Sequence, residues 1–136
     1  MIIPYEQELI TNFNVKKRKN TSIYENLEYF ILSPYITNTY HWFDLRLINI
    51  DKQDLHKKRL LVVRDNLYGV CVCKLNVFLE TMISEKSSII TKKSGKHWKY
   101  FLMQNSNKCF YIKNQHDNVT YLCDYDNLDI FNMEKK

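Results

Sequence analysis

Seven lysines (Lys86, Lys92, Lys93, Lys96, Lys99, Lys108 and Lys113) and two histidines (His97 and His116) fall between residues 86 and 116, a stretch without one aspartate or glutamate. The chemistry open to such a run is neutralisation of an anionic polymer. Ammonium groups would meet phosphate oxygens, and the interleaved Trp98, Tyr100, Phe101, Phe110 and Tyr111 would stack on bases. The whole chain carries +5, so seven positive charges here leave −2 for the rest, and the field is concentrated. Lys92, Lys93, Lys96, His97, Trp98 and Lys99 are the expected nucleic-acid contacts, assisted by a second basic cluster at Lys16, Lys17, Arg18 and Lys19. No helix is built to read a major groove, so little sequence preference is expected, and DNA and RNA both remain open. Lysines on the outer side of a β-sheet are also ordinary solvated charge, which is the competing account of the same residues.

A second group lies in the segment Thr39 to Ile48. Period-two alternation puts Phe43, Leu45 and Leu47 on one face and Tyr40, Trp42, Asp44 and Arg46 on the other. An acid and a base two residues apart, beside two aromatics, could line a cleft or form a same-face pair on a solvated sheet. With Glu28 in the preceding strand, the order helix, strand, strand carrying Asp44-Leu45-Arg46, central apolar strand and helix resembles the core of the PD-(D/E)xK nucleases. The resemblance covers residues 4 to 83. It implies a divalent metal held by Glu28 and Asp44, with Arg46 at the position of the lysine that orients the attacking water. Arg46 is a departure, because a fixed guanidinium charge cannot be tuned as an acid or base. A binding surface kept after loss of the metal site fits that departure; a Mg- or Mn-dependent nuclease is the alternative, and otherwise no cofactor is expected.

Other templates are poorer. Two glycines, Gly69 and Gly95, cannot build a phosphate loop. The four histidines lie in separate segments, and His41 reads as a hydrogen-bonded sheet residue rather than a ligand. Cys71 and Cys73 share one face of an extended apolar run, whereas a zinc knuckle wants a wider gap in a turn and a second pair. Cys109 and Cys123 form no such pair, so buried thiols and no metal are expected.

The elements that must position these groups follow from periodicity. Pro4 opens a helix through Phe13, with Tyr5, Leu9, Ile10 and Phe13 at helical spacing. Lys16 to Lys19 fall in a loop. Leu27 to Ser33 and Thr39 to Ile48 read as a hairpin of two strands. Leu60 to Val63 and Tyr68 to Cys73, apolar on consecutive positions and separated by Asp65-Asn66, are the buried centre of the sheet. Leu75, Phe78, Leu79 and Met82 make the stripe of an amphipathic helix. Ser87 to Lys96 reads as an exposed loop, and the strands Lys99 to Gln104, Cys109 to Lys113 and Val119 to Tyr125 as a three-strand meander. The end of the chain, with Asp124, Asp126, Asp129 and Glu134, is acidic and expected to be solvated.

A chain of 136 residues with 45% apolar and 14% aromatic content suits one α+β domain, residues 1–136, and is too apolar to be disordered. Its central sheet is expected to be mixed or antiparallel. Alanine is absent, and the favoured residues have AT-rich codons, as in a phage, mobile element or defence system of an AT-rich host. No secretory signal or membrane span is legible, which predicts a cytoplasmic protein. A protein partner, met by aromatic patches of an inhibitor or accessory module, is the remaining alternative.

Overall fold

The structure, a computed structural model, describes residues 3–125. The expectations for Asp126, Asp129 and Glu134 lie outside the described residues. In chain order the elements are α1 (Glu6–Phe13), β1 (Lys16–Lys17), β2 (Ile23–Glu25), β3 (Tyr29–Leu32), β4 (Tyr35–Ile36), β5 (Trp42–Arg46) and α2 (Leu47–Ile50). There follow β6 (Lys58–Asp65), β7 (Gly69–Lys74), α3 (Leu75–Met82), a 3-10 turn (Glu85–Ser87), β8 (Ile89–Thr91), β9 (Gly95–Gln104), β10 (Phe110–Asn114) and β11 (Thr120–Leu122). The fold is α+β.

Two sheets form where one was expected. The first is mixed, in the order β1-β2-β3-β6-β4, with β7 paired to β6. β3 and β4 run parallel to β6, while β7 returns antiparallel through the Asp65-Asn66 turn. The second is antiparallel, in the order β11-β10-β9-β5, with β8 added to β9. The C-terminal meander expected from sequence is therefore present as β9, β10 and β11.

The first sheet is covered on both sides. Leu9 and Phe13 of α1 pack with Tyr24, Ile31, Val62 and Val72 on one face. Phe30, Leu61, Val63, Cys71 and Cys73 on the other face meet Phe78 and Met82 of α3, and Phe43, Leu45, Trp98, Tyr100 and Leu102 of the second sheet. Burial on two faces is why β6 and β7 read as unbroken apolar runs. The second sheet gives only one face to this core, so its strands alternate: β5 and β10 are buried at every second residue.

Three expectations are corrected. Leu27 to Ser33 and Thr39 to Ile48 do not pair: β3 lies between β2 and β6, and β5 joins β9 in the other sheet. All four residues of β3 are buried, so it needs cover on both faces of its sheet, while β5 has one polar face and suits an outer layer. Pro34, which has no N–H to offer a hairpin partner, instead accepts from the Arg64 N–H, and the chain enters β4. The segment Ser87 to Lys96 is not a loop. It is the β8–β9 hairpin, turned at Lys92 to Ser94, with the Ser94 N–H donated to Thr91 Oγ1 and Gly95 at φ +65°, a backbone state that glycine enters without steric cost. Lys16 and Lys17, expected in a loop, form the edge strand β1.

Candidate nucleic-acid interface

The solvent side of the second sheet collects the chemistry. From β5 it presents Trp42, Asp44 and Arg46; from β9, Lys99, Phe101 and Met103; from β10, Tyr111 and Lys113; from β11, Thr120 and Leu122. Residues between them, such as Phe43, Tyr100, Leu102 and Ile112, are buried. The register sets rows across the face: Trp42 opposite Phe101, Phe101 opposite Lys113, and Lys113 opposite Thr120. The Trp42 and Phe101 rings stack at 6.1 Å with 21° between their planes. Tyr40, 73% exposed, tilts its ring 6.0 Å from Trp42. Lys99 Nζ stands 4.1 Å from the Trp42 ring centroid, a cation held on a π face. Asp44, opposite Lys99, is the one acid among these outward strand residues.

Next to the stacked pair is a cavity of about 380 Å³ lined by Tyr40, His41, Tyr68, Phe101, Met103 and Lys113. His41 stands just before β5 at φ +59°. Its ring stacks on Tyr68 at 3.9 Å, and its Nδ1 lies 2.5 Å from Oδ2 of the buried Asp65. Asp65 Oδ1 in turn accepts the N–H groups of Leu67 and Tyr68, so turn, carboxylate and imidazole hold one another. The ring is hydrogen-bonded, as expected.

The residues expected from sequence distribute unevenly. Lys92 and Lys93 are exposed at the hairpin turn. Lys99 is on the aromatic face, while Lys96 is paired with Glu85. Trp98 and His97 are corrected: they are 2% and 4% exposed. Trp98 lies among the inward residues of β9 and donates its Nε1–H to Ser84 O at 2.8 Å. His97 lies between Arg46 and Ile89 of adjacent strands, with Nδ1 3.0 Å from Gly95 O. Neither ring can stack on a base. Sequence reasoning overlooks Phe101, Tyr111 and Lys113 as a face. Their signal is the same period-two alternation that places Trp42, extended through β9 and β10.

The second basic cluster joins this surface through Arg46. Arg46 donates from Nε to Ser94 O at 3.1 Å, beside Lys92 and Lys93. It also lines a cleft of about 340 Å³ with Lys17, Asn20, Thr21 and Tyr35. Lys19 is exposed, whereas Arg18 is tied to Glu25 at 2.6 Å. Asp44 and Arg46 share the outward face of β5, and Glu28 comes from the other sheet. Glu28 precedes β3 in the first sheet with its carboxylate 3.5 Å from Lys58 Nζ, and Asp44 is in the second sheet.

Among the described residues, one group of three metal-ligating side chains is brought together: Cys71, Cys73 and Cys123, with all Sγ atoms within 4.8 Å of one another. Cys71 and Cys73 are fully buried free thiols, as expected, and Cys123 is partly covered. Hydrogen bonds from the two buried thiols pull Cys123 down to about 5, and the same contacts with Cys123 hold Cys71 and Cys73 well above the ordinary thiol value. In the native, metal-free chain, Cys109 is expected to react fast with a thiol reagent, Cys123 more slowly, and Cys71 and Cys73 only after denaturation. A stopped-flow count of titrated thiols checks this.

No helix of the described residues is long and apolar enough to cross a membrane. No family model matches the chain, and no curated protein or solved structure matches it.

Proposed function

We propose that the protein binds single-stranded nucleic acid on the outer face of its second sheet, with Trp42, Phe101 and Tyr40 as the stacking surface and Lys99, Lys113, Lys92 and Lys93 as phosphate contacts. The observation that carries this reading is the stacked Trp42–Phe101 pair with Lys99 over one ring and Lys113 beside the other. Stacking is indifferent to base identity because every base has a π face, and lysine meets phosphate without reading sequence. A duplex hides its bases, so single strands are preferred. From Trp42 to Arg46 the strand rises about 13 Å, and Arg46 leads on to the cleft that Lys17 lines, which extends the surface beyond the aromatic pair.

The test is fluorescence anisotropy of labelled DNA and RNA oligonucleotides, single-stranded and duplex, at two salt concentrations. Replacing Lys92, Lys93, Lys99 and Lys113 together by glutamine is expected to abolish binding near physiological salt. If those lysines neutralise the backbone, the salt slope falls by about 0.7 for each phosphate they no longer meet. Trp42→Ala is expected to weaken single-strand binding by about 1 to 3 kcal/mol. A quadruple variant that binds as tightly as the parent refutes the proposal, as does a preference for duplex that survives Trp42→Ala. Adding magnesium or manganese to the same complexes, with product sizes read on a gel, tests for cleavage.

A further inference from the structure

The three-thiol group belongs to no part of the proposed nucleic-acid face, and the fold goes to some length to assemble it. Cys71 and Cys73 alternate with Val72 on β7 of the first sheet, both turned into the core between the sheets. Cys123 comes from the other sheet, one residue past the end of β11. Its approach is fixed on both sides. The Cys123 N–H donates to Phe110 O at 3.0 Å, and Tyr125, two residues on, exchanges two backbone hydrogen bonds with Val72 at 2.8 and 3.1 Å. Asp124 Oδ2 between them accepts the Lys74 N–H at 3.0 Å and the Tyr121 O–H at 2.8 Å. The backbone segments that carry the three cysteines are therefore held against one another across two sheets.

We propose that Cys71, Cys73 and Cys123 bind a thiophilic divalent d10 cation, Zn(II), that ties β7 of the first sheet to the end of β11 in the second. An all-sulfur ligand set selects soft ions and excludes magnesium, calcium and manganese. With Zn–S bonds of about 2.3 Å, two thiolates on one zinc sit roughly 3.8 Å apart, so a separation within 4.8 Å closes by small side-chain rotation. Charge separates the candidate ions. Three thiolates leave −1 with a divalent ion and −2 with Cu(I), and Asp124 alongside makes the second sum the costlier one in a buried site. The ion enters past Cys123, the partly covered member, and the thiol protons leave to the buffer on binding. Three protein ligands leave the fourth zinc position to a small exogenous ligand, such as water.

The full chain, purified under a phosphine reductant without chelator, is expected to contain one zinc per chain by elemental analysis. Stripped of zinc and titrated with Cd(II), it is expected to develop a sulfur-to-cadmium charge-transfer band that saturates at one equivalent with the intensity of three thiolates. Cys109→Ser, outside the group, is expected to titrate as the parent does, and Cys123→Ser to bind at least tenfold more weakly and to lose the rise in thermal midpoint on adding zinc. The parent alone can decide against the proposal: no saturable band, or the intensity of a single thiolate, overturns it whatever the variants do. Parent-like affinity in a folded Cys123→Ser also overturns it.

Discussion

Replacing Trp98 by alanine is expected to destabilise the fold by about 3 to 5 kcal/mol, the usual cost of emptying a buried aromatic site, with unchanged affinity for single-stranded nucleic acid per folded molecule. The indole is 2% exposed in the core between the two sheets, and its N–H holds Ser84 O where α3 gives way to the 3-10 turn. Alanine leaves a cavity beneath β9 and takes one donor from Ser84 O, which keeps the N–H and hydroxyl of Ser87. Because the proposed binding residues lie on the opposite face of the same strand, the loss falls on stability. Urea unfolding gives the first quantity, and anisotropy on the folded fraction gives the second. A stable Trp98→Ala protein with weakened binding would return Trp98 to the interface and remove the parity argument that assigns Phe101.

That parity explains what is legible in the chain and what is not. Local patterns carry far: the Leu75 to Met82 stripe is α3, Pro4 precedes α1, the two apolar runs are the β6–β7 hairpin, and the meander is β9 to β11. They carry because each depends on neighbours within a few residues. In the segment from Lys92 to Lys99, the density of charge conceals the alternation. Trp98, Tyr100 and Leu102 are one buried row, and Lys99 and Phe101 lie on the other side, but one-sided burial becomes visible only once the second sheet exists. Pairing between distant segments is equally hidden. Nothing local to β5 shows that it pairs with β9 rather than β3, since both partners offer an apolar face. The thiol group is illegible for the same reason: Cys123 stands 50 residues from Cys73 in number, and it reaches β7 through the Val72–Tyr125 bridge and the Asp124 contact with the Lys74 N–H.

Arg64→Met is expected to destabilise the protein by roughly 3 kcal/mol or more, at about 1 to 3 kcal/mol for each buried acceptor left without a donor. Arg64 is fully buried, yet the groups that accept its hydrogen bonds are neutral hydroxyls and carbonyls. Nε donates to Ser33 Oγ, Nη1 to Pro4 O, and Nη2 to Ser33 O and the Tyr24 hydroxyl. The guanidinium lies 5.1 Å from the Tyr24 ring and 5.7 Å from that of Tyr35. Negative charge reaches it at one remove, through the Tyr24 O–H donated to Glu6 Oε2 at 2.5 Å; burial, and then that bond, push the Tyr24 phenol up to about 12, so it stays a donor across the physiological range. Methionine matches the stem and the volume and removes the charge, so the desolvation of a buried cation is recovered while the carbonyls of Pro4 and Ser33 lose their donors. The fan of bonds also secures the residues leading into α1 to β6 and to the chain before β4. Arg64→Lys keeps the charge, but its compact ammonium cannot span four acceptors, and it is expected to restore only part of the loss. Equilibrium urea unfolding of both variants measures the two costs. If Arg64→Met matched the parent in midpoint and slope, desolvation of the guanidinium would equal everything its hydrogen bonds return, and the anchoring of α1 would rest on Leu9, Phe13 and the Glu6–Tyr24 and Phe13–Asn26 hydrogen bonds.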